Sequence, residues 1–445
     1  MIILRGYNVS YMAALGEQPV WNDCEYELAK HCLVTDVNNG KLILNNLTKS
    51  IVFLDKKDLD NLGDKDTYLF LYKTYFLVPK DFNSNHMIDK LRKSLVTPID
   101  DFYLKNPTEF TILTTTKCNA RCFYCYESKT KQKHHMSEDT ALKVAKYIHK
   151  CVPNNEIASL DWFGGEPLFN QKAIDIITNY LSAKQVPFIS SATSNGYLFD
   201  EKLVKKAVEH WKLQTIQITI DGTEEVYNKT KNYIYIKDSS PYKRVMNNIQ
   251  LLLDAGIIVN IRINLDLYNS ENVKSLISEL FSRFGIRTNL NIYVWPIFDE
   301  GQRSKEDEDI LYDQLEIIEN LIVDYGYSYG LFPSEQIKDH HCMADVGNHV
   351  TISPYGELGT CEHFVDCDFF SSINNPDEKN YQILYEWKQY EKPLNICEDC
   401  PLYADCLRPV KCTEMHKCSD HIKKWKLRKA TFELLNFYNL NRNNV

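Results

Sequence analysis

With 445 residues, 44% of them hydrophobic and 25% charged, the chain has the size and balance for two or three globular domains with sizeable cores. A net charge of −9 argues against a generic nucleic-acid binder, which would be basic. No apolar run reaches the ~18 residues of a membrane span, and "MIILRGYNVSYMAALGEQPV" has no basic start before a long apolar core, so no signal peptide is read and a cytoplasmic location is expected.

Residues 1–100 are expected to form a small separate α+β domain. In "KHCLVTDVNNGKLILNN", Asn-Gly-type turn chemistry sits between two apolar runs, the pattern of a hairpin. "KDLDNL" and "NHMIDKLRKSLV" then read as helical. Over residues 105–305 the pattern alternates. "FTILTT", "ASLDWFGG", "PFISSATSN", "QTIQITID", "IIVNIRINL" and "LNIYVWP" are rich in β-branched and aromatic residues, with helical stretches between them. In "SEDTALKVAKYIHK", Ser137 is placed to cap the first turn, with Leu142, Ala145 and Ile148 on one face. Six βα units in a row imply an α/β fold with a parallel sheet and right-handed crossovers. A partial (β/α)6 TIM-like barrel is the expected closure, and a doubly wound open sheet is its competitor. An acidic helix, "KEDEDILYDQLEIIENLIVDYG", makes 306–334 a linker to a cysteine-rich section at 335–425. Residues 426–445 close the chain as the end of an amphipathic, basic helix packed on the body.

Fourteen cysteines in a reducing compartment point to metal ligation or catalysis rather than to disulfides. They cluster. Three lie in "TKCNARCFYCYE" (Cys118, Cys122 and Cys125) and seven toward the C-terminus, while Cys24, Cys32, Cys151 and Cys367 stand apart. Cys151 ends a helix face and is most simply packing. The first three follow directly on "FTILTT", which places them at the C-terminal end of the first barrel strand, where barrel enzymes carry their active sites. Three thiolates can hold three irons of a [4Fe-4S] cluster and leave one iron open to an outside ligand. Zinc and a chance trio are the competing readings.

Cys118, Cys122, Tyr124 and Cys125 match CxxxCxΦC residue by residue, and in this the chain resembles the radical S-adenosylmethionine (SAM) enzymes. The resemblance implies a partial barrel in which SAM chelates the open iron through its amino and carboxylate groups. Reduction of the cluster then cleaves SAM to methionine and a 5′-deoxyadenosyl radical, which takes hydrogen from the substrate. "DWFGGEPL" places Gly164, Gly165, Glu166 and Pro167 after the second strand, where glycines allow close backbone approach and a carboxylate can take the SAM ammonium. By the same resemblance Ser194 and Asn195 of "TSNG", and Thr219 and Asp221 of "TIDG", are candidates for contacts to the ribose and methionyl parts. Arg262 and Asn264 point the same way. Taken singly, Ser194, Asn195, Thr219 and Asp221 are more simply turn-formers.

"CMADVGNHVTISPYGELGTC" spaces Cys342, Gly356 and Cys361, and "CEDCPLYADCLRPVKCTEMHKC" supplies Cys397, Cys400, Cys406, Cys412 and Cys418. Together they resemble the SPASM extension, with two departures. Five residues rather than three separate Cys406 from Cys412, and the last cysteine follows after only five. Carried over by position, Cys397, Cys400, Cys406 and Cys418 bind a distal auxiliary [4Fe-4S] cluster, and Cys342, Cys361 and Cys412 bind a second one nearer the barrel. The fourth position of the latter is open or filled by Cys367, His340 or His341. Zinc is the alternative for these thiols.

SPASM-bearing radical SAM enzymes mostly modify peptides or proteins. The chain most resembles maturases of ribosomally made precursor peptides, which install thioether or carbon–carbon crosslinks. The runner-up is the anaerobic sulfatase-maturating enzymes, which make formylglycine. Two features favour the first. About a hundred residues precede the barrel and are a candidate leader-recognition element, to which a peptide would add as a strand. After Cys361 stands Glu362, where sulfatase maturases carry a catalytic Asp; its simplest alternative is a solvated carboxylate. The partners implied are a precursor peptide with its leader and a reductant protein such as a flavodoxin or ferredoxin, with no nucleic acid and no membrane. A small-molecule radical SAM enzyme, or a scaffold with purely structural clusters, are the readings from other classes.

Overall fold

The computed structural model describes residues 1–18, 25–56, 65–103, 106–129, 133–234, 238–297, 303–327, 332–364, 368–412 and 418–441. Cys24, Cys367 and the expected helix at "KDLDNL" lie outside them. Among the described residues no helix is long and apolar enough to cross a membrane.

The N-terminal part runs β1 (Ile2–Arg5), α1 (Val9–Leu15), β2 (Tyr26–Leu28), β3 (Cys32–Val37), β4 (Gly40–Asn45), β5 (Ile51–Asp55), α2 (Lys65–Lys73), β6 (Leu77–Pro79) and α3 (Ser84–Tyr103). The expected hairpin is β3–β4, with Val37 opposite Gly40 and Asn39 at φ 71° in the turn between them. Asn tolerates that left-handed conformation because its short polar side chain can hydrogen-bond locally. The antiparallel sheet has the order β1-β5-β4-β3, and β2 pairs separately with β6.

The barrel follows: β7 (Glu109–Thr115), α4 (Glu138–Cys151), β8 (Ala158–Gly164), α5 (Gln171–Ala183), β9 (Phe188–Ser194), α6 (Glu201–Glu209), β10 (Leu213–Thr219), α7 (Glu224–Lys231), α8 (Pro241–Asp254), β11 (Ile258–Leu265), α9 (Ser270–Phe284), β12 (Leu290–Pro296) and α10 (Lys305–Asp324). Strands β7 to β12 lie side by side in chain order, every pair parallel. A doubly wound sheet would reverse its order at a switch point, and this one does not. In α4 the Ser137 hydroxyl accepts from Thr140 N–H at 3.1 Å, the expected cap. The buried stripe, however, is Ala141, Val144, Ala145 and Ile148, and Leu142 faces out at 36% exposure. The i, i+3, i+4, i+7 series starts one residue earlier than the reading that placed Leu142 on it. Helix α10, read as a linker, packs on β12 and α9 as the outer layer of the sixth strand.

Then come β13 (His349–Ile352), β14 (Glu357–Gly359), β15 (Ser371–Ser372), α11 (Tyr381–Trp387) and α12 (Asp420–Asn441). Strand β13 pairs parallel with β7, His349 opposite Glu109 through Ile352 opposite Ile112. With β14 and β15 it makes a nine-stranded sheet. The buried His349 ring meets Thr111 Oγ1 at 3.0 Å across this seam, and burial holds its pKa down at about 3. The cysteine-rich section therefore grows directly from the strand that carries the first cysteine motif.

The N-terminal sheet does not close on itself. One face packs Ile43, Val52 and Phe76 with Ile337 and Ala404 of the cysteine-rich section. The other face packs Leu42 and Phe53 with Leu434 of α12, which starts at Asp420.

Candidate active site

Strand β7 ends in the loop that carries Cys118, Cys122 and Cys125. Main-chain bonds fold the loop: Ala120 N–H donates to the Cys118 sulfur at 3.3 Å and Cys125 N–H to the Cys122 carbonyl at 3.2 Å. The Arg121 guanidinium donates back to the carbonyls of Cys118 (2.9 Å) and Ala120 (2.7 Å). Burial raises the Cys118 thiol to about 12, and Glu166, Cys122 and Cys125 are near enough to push it further. The three predicted thiols are thus gathered in one place.

Gly164 and Gly165 meet a steric demand. Gly164 has φ 117°, and a Cβ there would lie 2.1 Å from the Thr115 carbonyl oxygen; one on Gly165 would lie 2.5 Å from that of Lys117. Gly165 and Glu166 N–H donate to those same two carbonyls, each at 3.0 Å. The end of β8 is therefore laced to the stretch leading into Cys118. The Pro167 carbonyl accepts from the Thr114 hydroxyl at 2.9 Å.

Glu166 was expected to meet a ligand ammonium. It is fully buried, and its carboxylate accepts from Leu168 N–H (3.2 Å), the Ser194 hydroxyl (2.8 Å) and Asn195 N–H (2.8 Å). Burial raises it to about 7 against those three donors. Glu166 thereby ties the exits of β8 and β9, and a ligand cation would have to compete with these bonds. Asn195 reaches on to the cysteine loop through Asn119 Oδ1 at 2.7 Å.

At the exit of β10, Thr219 pairs in register with Arg262, whose Nε donates to Asn264 Oδ1 at 3.0 Å. Asp221 is buried, and its Oδ2 accepts from the Tyr124 hydroxyl at 2.7 Å and from Lys231 Nζ at 3.0 Å. Lys231 Nζ also donates to the Tyr124 oxygen at 2.9 Å. Burial alone would lower Lys231, but Asp221 and the groups around it outweigh that and hold it above the ordinary range. Sequence reasoning missed Lys231 and Asn119. "EEVYNKTK" looks like a wholly solvated helix, and nothing local marks its last lysine as inward. Among the described residues, Asp221 Oδ1 and Asn119 Nδ2 are buried without a hydrogen-bond partner, one acceptor on a residue bonded to Tyr124 and one donor next to Cys118 in the chain. Thiol ligands flanked by such orphaned polar atoms fit an iron–sulfur cluster with a small polar ligand next to it.

The later cysteines fall into two groups. Cys397, Cys400, Cys406 and Cys418 line one cavity of about 740 Å³. Cys342 lies near Cys412 and Glu362, and burial raises its thiol to about 11 with both pushing further. Cys361 follows β14, and its sulfur accepts from His363 N–H at 3.4 Å. Gly356, at φ 88°, turns β13 into β14. Glu362 is half-buried rather than a solvated carboxylate. Of the fourth-ligand candidates, His340 is paired with Asp339 at 2.5 Å. Among the described residues no three Cys, His, Asp or Glu side chains converge tightly enough to hold a single metal ion. The two cysteine regions touch through ring stacking: Tyr126, next to Cys125, lies 4.3 Å from His363, and His134 lies 4.2 Å from Tyr355.

Comparison with known proteins bears on this site. Residues 112–280 match the family model described as Radical SAM superfamily. The radical SAM cyclopropyl synthase TigE of Paramaledivibacter caminithermalis is 23% identical over 407 residues, covering 82% of this chain and 81% of that one. A GTP 3′,8-cyclase of Clostridium perfringens is 30% identical over 169 residues, 37% of this chain and only 49% of its own length. Among solved structures, native anSMEcpe with bound AdoMet superposes with a TM-score of 0.56 at 16% identity, over 76% of this chain and 100% of that one. Streptococcus suis SuiB bound to its precursor peptide SuiA gives 0.52 at 13% identity, over 89% and 99%. At such identities these two likenesses are of fold.

Proposed function

Starting from a chain that is a radical SAM enzyme, its radical SAM domain lying across residues 112–280, we propose that it matures a ribosomally made precursor peptide by joining two of its residues through a thioether or carbon–carbon bond. The observation that carries this reading is the extent of one similarity. The match to a cyclopropyl synthase covers 82% of the chain, so it takes in sections outside the radical SAM domain, whereas the nucleotide cyclase match covers 37%. The fold shared with a maturase that holds a precursor peptide agrees with it. Sulfatase maturation is the second reading, since the fold shared with anSMEcpe extends over 76% of this chain.

In this reading Cys118, Cys122 and Cys125 hold three irons of the [4Fe-4S] cluster that the domain implies, and SAM takes the fourth. When bound, that pair supplies a 5′-deoxyadenosyl radical able to take hydrogen from the substrate. The chain's own residues bind and orient. Glu166 locks the exits of β8 and β9 by accepting from Ser194 and Asn195, and Asn195 reaches the cysteine loop through Asn119. Asp221 Oδ1 is set to accept from a ligand hydroxyl or amine, and Asn119 Nδ2 to donate. The two C-terminal cysteine groups hold auxiliary [4Fe-4S] clusters, and Glu362, close to Cys342, takes a substrate proton. The N-terminal sheet receives the leader, and a cytoplasmic flavodoxin or ferredoxin supplies electrons.

The test is anaerobic reconstitution with SAM and dithionite, followed by co-expression with candidate precursors. Release of 5′-deoxyadenosine and a peptide lighter by two hydrogens, unreactive to hydrazide, supports crosslinking. A hydrazide-reactive aldehyde in place of a Cys or Ser moves the reading to sulfatase maturation. No 5′-deoxyadenosine rejects both.

A further inference from the structure

Lys231 ends α7 with its side chain only 4% exposed, inside the molecule rather than on its surface. Its ammonium sits 5.6 Å from the centre of the Tyr124 ring and 5.7 Å from that of Tyr227, and bonds to Asp221 and the Tyr124 hydroxyl. Tyr124 lies between Cys122 and Cys125 in the chain. The main chain grips the same loop. The Lys231 carbonyl accepts from Arg121 N–H at 2.8 Å, and Ile234 N–H donates to the Asn119 carbonyl at 2.7 Å. The end of α7 thus clamps the cysteine loop with backbone and side chain together.

Taking an ammonium and a carboxylate out of water is unfavourable, and a well-packed apolar pair of similar size is often as stable or more so. Holding the Tyr124 ring in place does not by itself call for a charge. A buried cation beside a thiolate-ligated cluster has a second electrostatic partner, because such clusters are negative overall and more so once reduced. Their potentials respond to nearby charge, hydrogen bonding and exposure. Cys122 is near enough to Lys231 to act on its charge.

We propose that Lys231 is a positioning residue for the iron–sulfur cluster. It fixes Tyr124 between two cluster cysteines and sets a permanent positive charge beside Cys122, which raises the reduction potential of that cluster, while Asp221 partly offsets the charge. The inference rests on residues 118–125 being the cluster loop. The step it tunes is the gain of one electron by the cluster from an external one-electron reductant, with no bond made or broken.

The experiment is an EPR-monitored redox titration of the full-length, iron-reconstituted protein without SAM. The relevant signal is identified as the one that Cys118→Ala removes. At matched iron content, Lys231→Met is expected to shift the oxidised-to-reduced ratio at a fixed poise tenfold or more toward oxidised, about 59 mV for a one-electron couple. Lys231→Arg should restore it to within about threefold. Asp221→Asn, which keeps the cation and removes its counter-charge, should shift it the other way; this variant decides the matter by its sign if Lys231→Met does not fold. Unchanged midpoints in Lys231→Met and Asp221→Asn, with the Cys118-dependent signal intact, would overturn the tuning role and leave the loop's reading standing. A wild-type protein with no Cys118-dependent signal would overturn both.

Discussion

Cys118, Cys122 and Cys125 hang from the end of a barrel strand, and main-chain bonds from β8 and from the end of α7 hold their loop. Cys397, Cys400 and Cys406 sit instead in and around two single 3-10 turns, Asn395–Cys397 and Tyr403–Asp405, with little regular structure nearby. Side chains from the N-terminal unit hold them. Arg92 donates to the carbonyls of Lys338 (2.9 Å), Tyr403 (2.8 Å) and Ala404 (2.6 Å). Asn85 donates to the Cys397 carbonyl at 3.0 Å and Asn46 to that of Pro401 at 2.9 Å, while the buried Lys49 pairs with Asp405 at 2.6 Å. One cysteine region is therefore part of the barrel's own cooperative unit, and the other takes its shape from side chains of α3 and the β4–β5 turn, most of them more than three hundred residues away in the chain. Local and sub-global opening follow such divisions, so the two regions should break separately.

The most severe break is Cys118→Ala. On the proposed cluster assignment, this variant should abolish 5′-deoxyadenosine formation while iron proposed at the C-terminal cysteines stays. Iron analysis and absorption spectra of the variant check this, and loss of all iron together would show that the regions are not separable. Next come two glycines of contrasting setting. Gly164→Ala forces a Cβ to 2.1 Å from backbone, at a φ only glycine adopts readily, so a loss of about 4 kcal/mol or more is expected. Gly356→Ala meets the tip of the Ile373 side chain at 2.4 Å, which can swing away, and should cost about 1–2 kcal/mol. Denaturant melts of the two variants would erase the distinction if their losses came out equal. Arg92→Ala strips three carbonyls of a buried cation and should cost about 3 kcal/mol. Its effect should fall on the C-terminal section, so that, on the proposed assignment, iron at Cys397, Cys400, Cys406 and Cys418 is released before iron at the Cys118 loop. Release in the opposite order would contradict the dependence on the N-terminal unit.

The same contrast explains what could be read from the chain alone. The barrel strands, the β3–β4 hairpin, the Ser137 cap and the CxxxCxΦC loop are short-range patterns, each complete within a dozen or so residues. They match the structure to within a residue or two at most strand ends. Leu142 fell on the wrong side because a helix stripe inferred from few apolar residues can slip by one position. The pairing of β13 with β7 joins His349 to Glu109, and no local signal anticipates a partner at that distance. The closing of the N-terminal sheet by α12 is hidden for the same reason. At the site, sequence reasoning found residue types but not their partners. Glu166 and Asp221 bond first to the protein itself, and the lysine that completes the Asp221 network lies in a helix whose pattern looks solvated.

Glu166 offers the mildest and most selective probe of the barrel end. Burial raises its folded pKa to about 7, above the ordinary 4.5 of a glutamate. A raised carboxylate pKa means that the folded state binds the proton more tightly than the unfolded chain. Its contribution to stability is therefore fully present below about pH 4.5 and is lost as pH rises through 7. At 1.36 kcal/mol per unit, the loss is on the order of 3 kcal/mol. The Glu166→Gln variant cannot titrate. Denaturant midpoints of wild type and variant should hence diverge between pH 5 and 7, with the wild type falling relative to the variant, and run parallel above that range. If the barrel and the cysteine-rich section unfold in separate steps, only the barrel step should carry this dependence, because Glu166 joins β8 to β9 and touches nothing in the C-terminal section among its hydrogen-bond partners. A wild-type-to-variant difference that stays constant from pH 5 to 7 would mean that the three donors keep Glu166 ionised throughout.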